Sequence, residues 1–219
     1  MHDFSKINGA VFAIGRQTPS GVQLLGTSVM TGVKGVLATV SHVVGSDDRN
    51  LVGVFKTIQS INDFQDTSDN SIQMFPLTIH SVDTIHDICL LKTQADIVSN
   101  IRLSNLDRVN TGDSVCLFGF PHADQGRMVL TKQITEIGAK ILISSGELKS
   151  KHMVLNIQSR PGQSGSPIFN PITGELIGLL VGSYAPGGGS GISLGGVDPH
   201  TLHQTTHAVS AEYIGRMLK

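Results

Sequence analysis

Apolar and polar residues alternate along this chain in short bursts. Residues 9–15 (GAVFAIG), 22–30 (VQLLGTSVM), 35–41 (GVLATVS), 51–57 (LVGVFKT) and 86–93 (HDICLLKT) each carry a β-type run bounded by Gly, Asn, Asp or Pro. From 94 to 110 (QADIVSNIRLSNLDRVN) the alternation is lost, which predicts a connector crossing the surface. Strand-like runs resume at 113–120, 127–134, 140–144, 153–158, 166–169 and 175–183. The pattern predicts two β units, 1–95 and 111–219, joined by 96–110. Residues 182–199 (GSYAPGGGSGISLGGVDP) are too glycine-rich to form a strand unaided, since glycine loses the most backbone entropy on ordering. At the end, Ser210 is placed to cap a short helix over about 210–218, with Glu212 in its first turn and Ile214, Met217 and Leu218 on one face.

Composition narrows the function classes. Charged residues make up only 15% and the net charge is −1, so no basic surface suggests nucleic acid or an anionic membrane as partner. No stretch approaches the roughly 18 apolar residues of a spanning helix. The first residues, MHDFSKINGAVFAIGRQ, lack the basic segment and apolar run of a secretion signal, which makes the cytoplasm the expected compartment. Cys89 and Cys116 lie within apolar runs and are expected as buried free thiols, with a single disulfide between them as the alternative.

The sharpest chemical signal is RPGQSGSPIFNPITGELIGLLVG at 160–182, where Ser164 is flanked by Gly162 and Gly165. A nucleophilic serine needs its hydroxyl on a rigid turn, with backbone N–H groups aimed at the developing oxyanion. Gly162 and Ser164 are the candidate donors. Such a serine also needs a base and an orienting carboxylate. TVSHVV at 39–44 puts His42 at a strand end, and HDICLLKT puts Asp87 just before an apolar strand. The order His, Asp, Ser is that of the chymotrypsin arrangement and not that of subtilisin or the α/β-hydrolases. Asp83 is the fallback acid, and His86 is expected as an exposed strand-edge residue. His200, His203 and His207 have spacings that invite a metal assignment, but Pro199 and Thr205-Thr206 favour a strand, so neither a metal nor another cofactor is expected.

These segments together resemble the trypsin-like serine peptidases of the chymotrypsin fold, nearest in motif style to the bacterial Deg/HtrA-type catalytic domains. Gly26-Thr27-Ser28-Val29 resembles G-[ST]-G-F, TVSHVV resembles T-A-A-H-V-V, DICLL resembles D-[IL]-A-[LV]-L, GFP at 119–121 resembles G-[YF]-P, and GQSGSP resembles G-N-S-G-G-P. The resemblance implies an all-β protein of two antiparallel six-stranded barrels, with His42 as general base, Asp87 orienting it, Ser164 as nucleophile and a polypeptide as substrate. It also implies a P1 pocket walled by 156–161 and 180–184 with 205–207 at its base. Gln158, Val181, Gly182, Ser183, Thr205 and His207 are then the substrate-binding candidates. No Asp stands at the expected pocket floor, which disfavours basic P1 residues. Gln163 replaces the Asp of relatives activated by N-terminal cleavage, so that route of activation is not expected. Ser166 and Ser28 replace usual glycines, and with no PDZ-like pattern within these residues a full HtrA role is not expected. The competing reading is a non-catalytic module that captures an extended peptide at a sheet edge, or a protease held latent until a regulatory protein orders 182–199.

Overall fold

The computed structural model describes residues 1–184 and 205–219, Ser183 and Tyr184 in their backbone only. The first half forms β1 (Val11–Thr18), β2 (Gly21–Met30), β3 (Val36–Val40), the one-turn helix α1 (Ser41–Val44), β4 (Leu51–Phe55), β5 (Gln73–Pro76), β6 (Thr78–Asp83) and β7 (Ile88–Lys92). All pairings are antiparallel, in the order β5-β4-β1-β2-β3-β7-β6. The two ends of this order, β5 and β6, are consecutive in the chain and separated only by Leu77. One bent strand therefore pairs with β4 through its first half and with β7 through its second, and the sheet curls into a six-membered ring.

The second half contains β8 (Ser114–Gly119), β9 (Thr131–Ser145), β10 (Leu148–Leu155), β11 (Pro167–Phe169), β12 (Leu176–Tyr184), β13 (Thr205–Ser210) and the helix α2 (Glu212–Met217). Its strands close a six-stranded barrel, β10-β13-β12-β11-β8-β9. The run expected at 127–134 enters a strand only at Thr131, and from there it and the run expected at 140–144 belong to the single strand β9. The interruption between them is Gly138, the extra residue where Ile137 and Ala139 pair with the adjacent Leu155 and Val154. That is a β-bulge, which bends a strand without ending it.

Val115, Leu117, Met153, Leu155 and Ile168 fill the second barrel. A larger apolar cluster runs from the first sheet (Leu37, Leu90, Val29) across to Phe118, Phe169, Val209 and Ile214, so the two halves share one continuous core. The connector is not wholly superficial. Leu106 and Val109 are buried and pack into the core of the second barrel. The expected Ser210 cap is corrected: Ser210 is still the last residue of β13, α2 starts after Ala211 with no side-chain cap, and the Ser210 hydroxyl accepts from Leu106 N–H at 3.3 Å. Cys89 and Cys116 are free and buried, and burial pushes both thiols up to about 12.

Candidate active site

At the end of β3 the chain turns through α1 and stops at Gly45, whose φ of 70° suits glycine. This turn carries His42. Asp87 closes the four-residue loop between β6 and β7 with φ 55°, a left-handed conformation uncommon outside glycine and best tolerated by Asp and Asn. Ser41 N–H donates to the Asp87 carbonyl at 3.0 Å. The Asp87 carboxylate accepts from Ser41 Oγ at 2.5 Å and His42 N–H at 3.0 Å through Oδ1, and meets His42 Nδ1 at 2.6 Å through Oδ2. Burial is the largest single influence on this carboxyl and pushes it up, yet the bonds from His42 and Ser41 together outweigh it and hold Asp87 below the ordinary carboxylate range. An ionised Asp87 accepts the Nδ1 proton, which leaves Nε2 as the basic nitrogen. Asp83, the fallback acid, is instead bound to His86 Nδ1 at 2.6 Å. His86 is not the exposed residue expected, since its ring lies between Asp83 and Tyr213 with a side chain 15% accessible.

Ser164 sits on the turn 160–166, where Gly162 and Gly165 have φ of 87° and 84°. A Cβ at Gly165 would lie 2.1 Å from the Thr27 carbonyl, and one at Gly26 would lie 2.9 Å from the Ser164 carbonyl. Close backbone approach between the two halves thus requires both glycines. Thr27 clamps the turn from the first sheet: its N–H donates to the Ser164 carbonyl at 2.8 Å and its Oγ1 to the Gly162 carbonyl at 2.9 Å. Thr39 Oγ1 in turn holds the Thr27 carbonyl at 2.7 Å. The Pro161 carbonyl is taken by His122 N–H at 2.7 Å, which fixes the 161–162 peptide and turns the Gly162 N–H away from His122. Among the described residues, neither Gly162 N–H nor Ser164 N–H has an acceptor. Buried Gln163 holds the turn internally, Oε1 accepting from Arg160 N–H at 2.7 Å and Nε2 donating to Gln133 Oε1 at 2.6 Å.

One expected contact is not made. The Ser164 hydroxyl donates to the Val181 carbonyl at 3.2 Å, and among the described residues no hydrogen bond joins it to His42. The reason lies in β12, where Leu180 and Gly182 pair with the adjacent Ala208 and His207. Val181 bulges out, with its carbonyl toward the turn.

The substrate-binding candidates lie along this edge. Gly182, Ser183 and Thr205 continue the β12–β13 pairing. Thr205 Oγ1 and His207 Nε2 are 3.2 Å apart, and burial lowers the His207 pKa. Gln158 is exposed, and its Oε1 accepts from Arg160 at 3.4 Å. Thr206 ties that segment to β13 by accepting from Ser159 N–H at 3.0 Å and donating to the Ile157 carbonyl. A cleft of about 490 Å³ is lined by His2, Phe4, Ile101 and Arg102 and includes none of His42, Asp87 or Ser164. His200, His203 and most of the 182–199 segment lie outside the described residues. Within them no three His, Cys, Asp or Glu side chains converge on a metal position, and no helix is long and apolar enough to cross a membrane.

Sequence reasoning missed Thr27, Thr39 and Ser41 as parts of the site. All three lie inside the quoted motifs, but Thr27 meets the Gly162 carbonyl 135 residues away in sequence, and no local pattern carries that information.

Residues 26–179 match the family model described as the trypsin-like peptidase domain. Over 179 residues the chain is 26% identical to a probable periplasmic serine endoprotease, DegP-like, of Pseudomonas fulva, a match covering 80% of this chain and 32% of that protein. The chain therefore spans about a third of the length of the curated relatives it matches. In fold it is similar to the MamO protease domain of Magnetospirillum magneticum in its apo form (TM-score 0.69, 18% identity, 97% of each chain covered). It is similar also to a protease of M. tuberculosis in its active form (TM-score 0.68, 17% identity, 97% of this chain and 80% of that one). With the family pattern running through both halves and the shared two-barrel architecture, the chain belongs to the trypsin-like serine peptidases of the chymotrypsin fold.

Proposed function

We propose that the chain hydrolyses internal peptide bonds of polypeptides through a Ser164–His42–Asp87 triad and an acyl-enzyme intermediate. The observation that carries this reading is the Asp87–His42 couple, with its 2.6 Å bond to Nδ1, set beside a serine turn that Thr27 locks to the same sheet. In the first step Ser164 Oγ turns from the Val181 carbonyl to His42 Nε2 and gives up its proton there as it bonds to the scissile carbonyl carbon. Charge collecting on the carbonyl oxygen is met by the N–H groups of Gly162 and Ser164, which have no acceptor among the described residues. His42 then returns the proton to the leaving amine as the C–N bond breaks, and water repeats the sequence on the ester. Asp87 stays ionised throughout and stabilises the imidazolium.

Gln158, Val181, Gly182, Ser183, Thr205 and His207 are proposed to line the P1 site. The Thr205–His207 pair supports a side chain with a hydrogen-bonding amide or carboxylate over a basic one, because a site built from polar groups rejects ligands that leave them unpaired. A second reading, a latent or peptide-capturing form that waits for a regulatory protein, draws support from the Ser164–Val181 bond, which holds the hydroxyl away from its base.

A fluorophosphonate probe separates the two by intact mass. One adduct on the wild type, and none on Ser164→Ala or His42→Ala, is the result expected of the triad. An unlabelled wild type refutes the self-sufficient enzyme and favours the latent form.

A further inference from the structure

We infer that Asp83, His86 and Tyr213 form a positioning couple that holds Asp87 in line with His42 and makes the C-terminal helix part of the catalytic apparatus; the inference rests on the triad reading above. The left-handed backbone of Asp87, φ 55°, is uncommon for a residue with a side chain and persists where its surroundings over-determine it. One set of restraints comes from the first sheet, through Ser41 and His42. The second acts through the preceding residue.

Asp83 Oδ1 accepts the N–H groups of Ile85 and His86, each at 3.1 Å, and Oδ2 meets His86 Nδ1 at 2.6 Å. The middle of the loop, Ile85 and His86, is thereby tied to the end of β6. The His86 imidazole, oriented by that bond, lies nearly parallel to the Tyr213 ring, with centroids 3.6 Å apart and planes 20° apart. Tyr213 is itself fixed. It is 2% exposed, its hydroxyl accepts Lys151 N–H from β10 at 2.8 Å, and the Arg216 guanidinium stands 4.8 Å from its ring. His86 thus repeats the Nδ1–carboxylate bond that His42 makes, one residue from Asp87, and uses its face to reach the second half of the molecule. A displacement of about 1 Å at a catalytic group costs around 10²-fold in rate, so a loop freed on this side loses rate before it loses its fold.

The test uses the full chain and a fluorophosphonate probe, reading the maximal labelling rate of Ser164 separately from the half-saturating probe concentration. His86→Ala and Tyr213→Ala are expected to lower the maximal rate about 10- to 100-fold with half-saturation unchanged. Tyr213→Phe keeps the ring face and is expected within about threefold of wild type. Rates are taken well below each variant's melting midpoint, and the low-field proton NMR signal of the His42–Asp87 bond is recorded on the same samples. Loss of that signal in His86→Ala supports the couple even if the wild type fails to label, in which case the nucleophile assignment alone falls. A wild-type rate and signal in His86→Ala, or a Tyr213→Phe defect as deep as that of Tyr213→Ala, overturns the couple.

Discussion

Ser164 Oγ and the Val181 carbonyl oxygen are 3.2 Å apart, and this bond occupies the hydroxyl that the proposed chemistry needs. A neutral carbonyl can hold a proton donor but cannot remove its proton, so in this arrangement Ser164 has the reactivity of an ordinary alcohol. Only rotation toward His42 changes that. The bulge at Val181 therefore determines where the Ser164 hydroxyl rests.

Asp87→Asn is expected to leave the fold intact and to lower kcat/KM by about 10⁴-fold, because an amide can donate to Nδ1 and stabilise the tautomer whose Nε2 carries the proton. Steady-state hydrolysis of an unfolded protein substrate measures this. A variant retaining a tenth of wild-type activity would show that Asp87 does not orient the base.

Thr27→Val removes the hydroxyl that satisfies the Gly162 carbonyl inside the interface. A loss of about 1–3 kcal/mol in stability is expected from the stranded acceptor, together with a lower kcat, whereas Thr27→Ser keeps both near wild type. Urea unfolding read beside hydrolysis distinguishes this clamp from simple loss of packing, for which Ser would be as harmful as Val.

The site was legible in the sequence to the extent that its parts are local. His42, Asp87 and Ser164 each lie in a short motif whose neighbours betray the turn or strand end that holds them. The runs that bury both faces, such as ICLL at 88–91, also stood out. β6 did not, because TIHSVD alternates only between exposed and half-exposed positions and is held by pairing to β7 rather than by an apolar face. The resting bond of Ser164 ends on a backbone carbonyl, which every residue possesses, and the His86–Tyr213 stack joins distant segments. Neither leaves a trace in residue type or spacing.

His152 is 7% exposed and its Nδ1 has no hydrogen-bond partner among the described residues. Burial above all, with smaller contributions from His207 and His86, pushes its pKa down to about 4, while Asp87 acts weakly the other way. The unfolded chain, with an ordinary histidine near 6.5, binds the proton first. Stability tied to this residue is accordingly full above pH 6.5 and drains away as pH falls toward 4, by about 3 kcal/mol in all. His152→Gln should flatten that part of the stability profile, as read by denaturant midpoints between pH 7 and 4. An unchanged slope would assign the acid sensitivity to other groups.

Ser166 stands where related motifs carry glycine. Its hydroxyl is buried without a partner among the described residues, so close to Gly119 that a Cβ there would lie 1.9 Å from it. Ser166→Ala removes an unsatisfied polar atom and is expected to raise stability by about 1 kcal/mol, seen as a higher melting midpoint. Gly119→Ala is expected to lower it.

The anchoring of the Ser164 turn on Thr27 has a bearing on how the polypeptide leaves the ribosome. Synthesis delivers His42 and Asp87 first, on a sheet that is complete before residue 100, and N-terminal units generally fold first. The serine turn emerges later and takes its shape from that finished surface. A growing chain therefore lacks the assembled arrangement of His42, Asp87 and Ser164 until the second half has emerged and docked on the first.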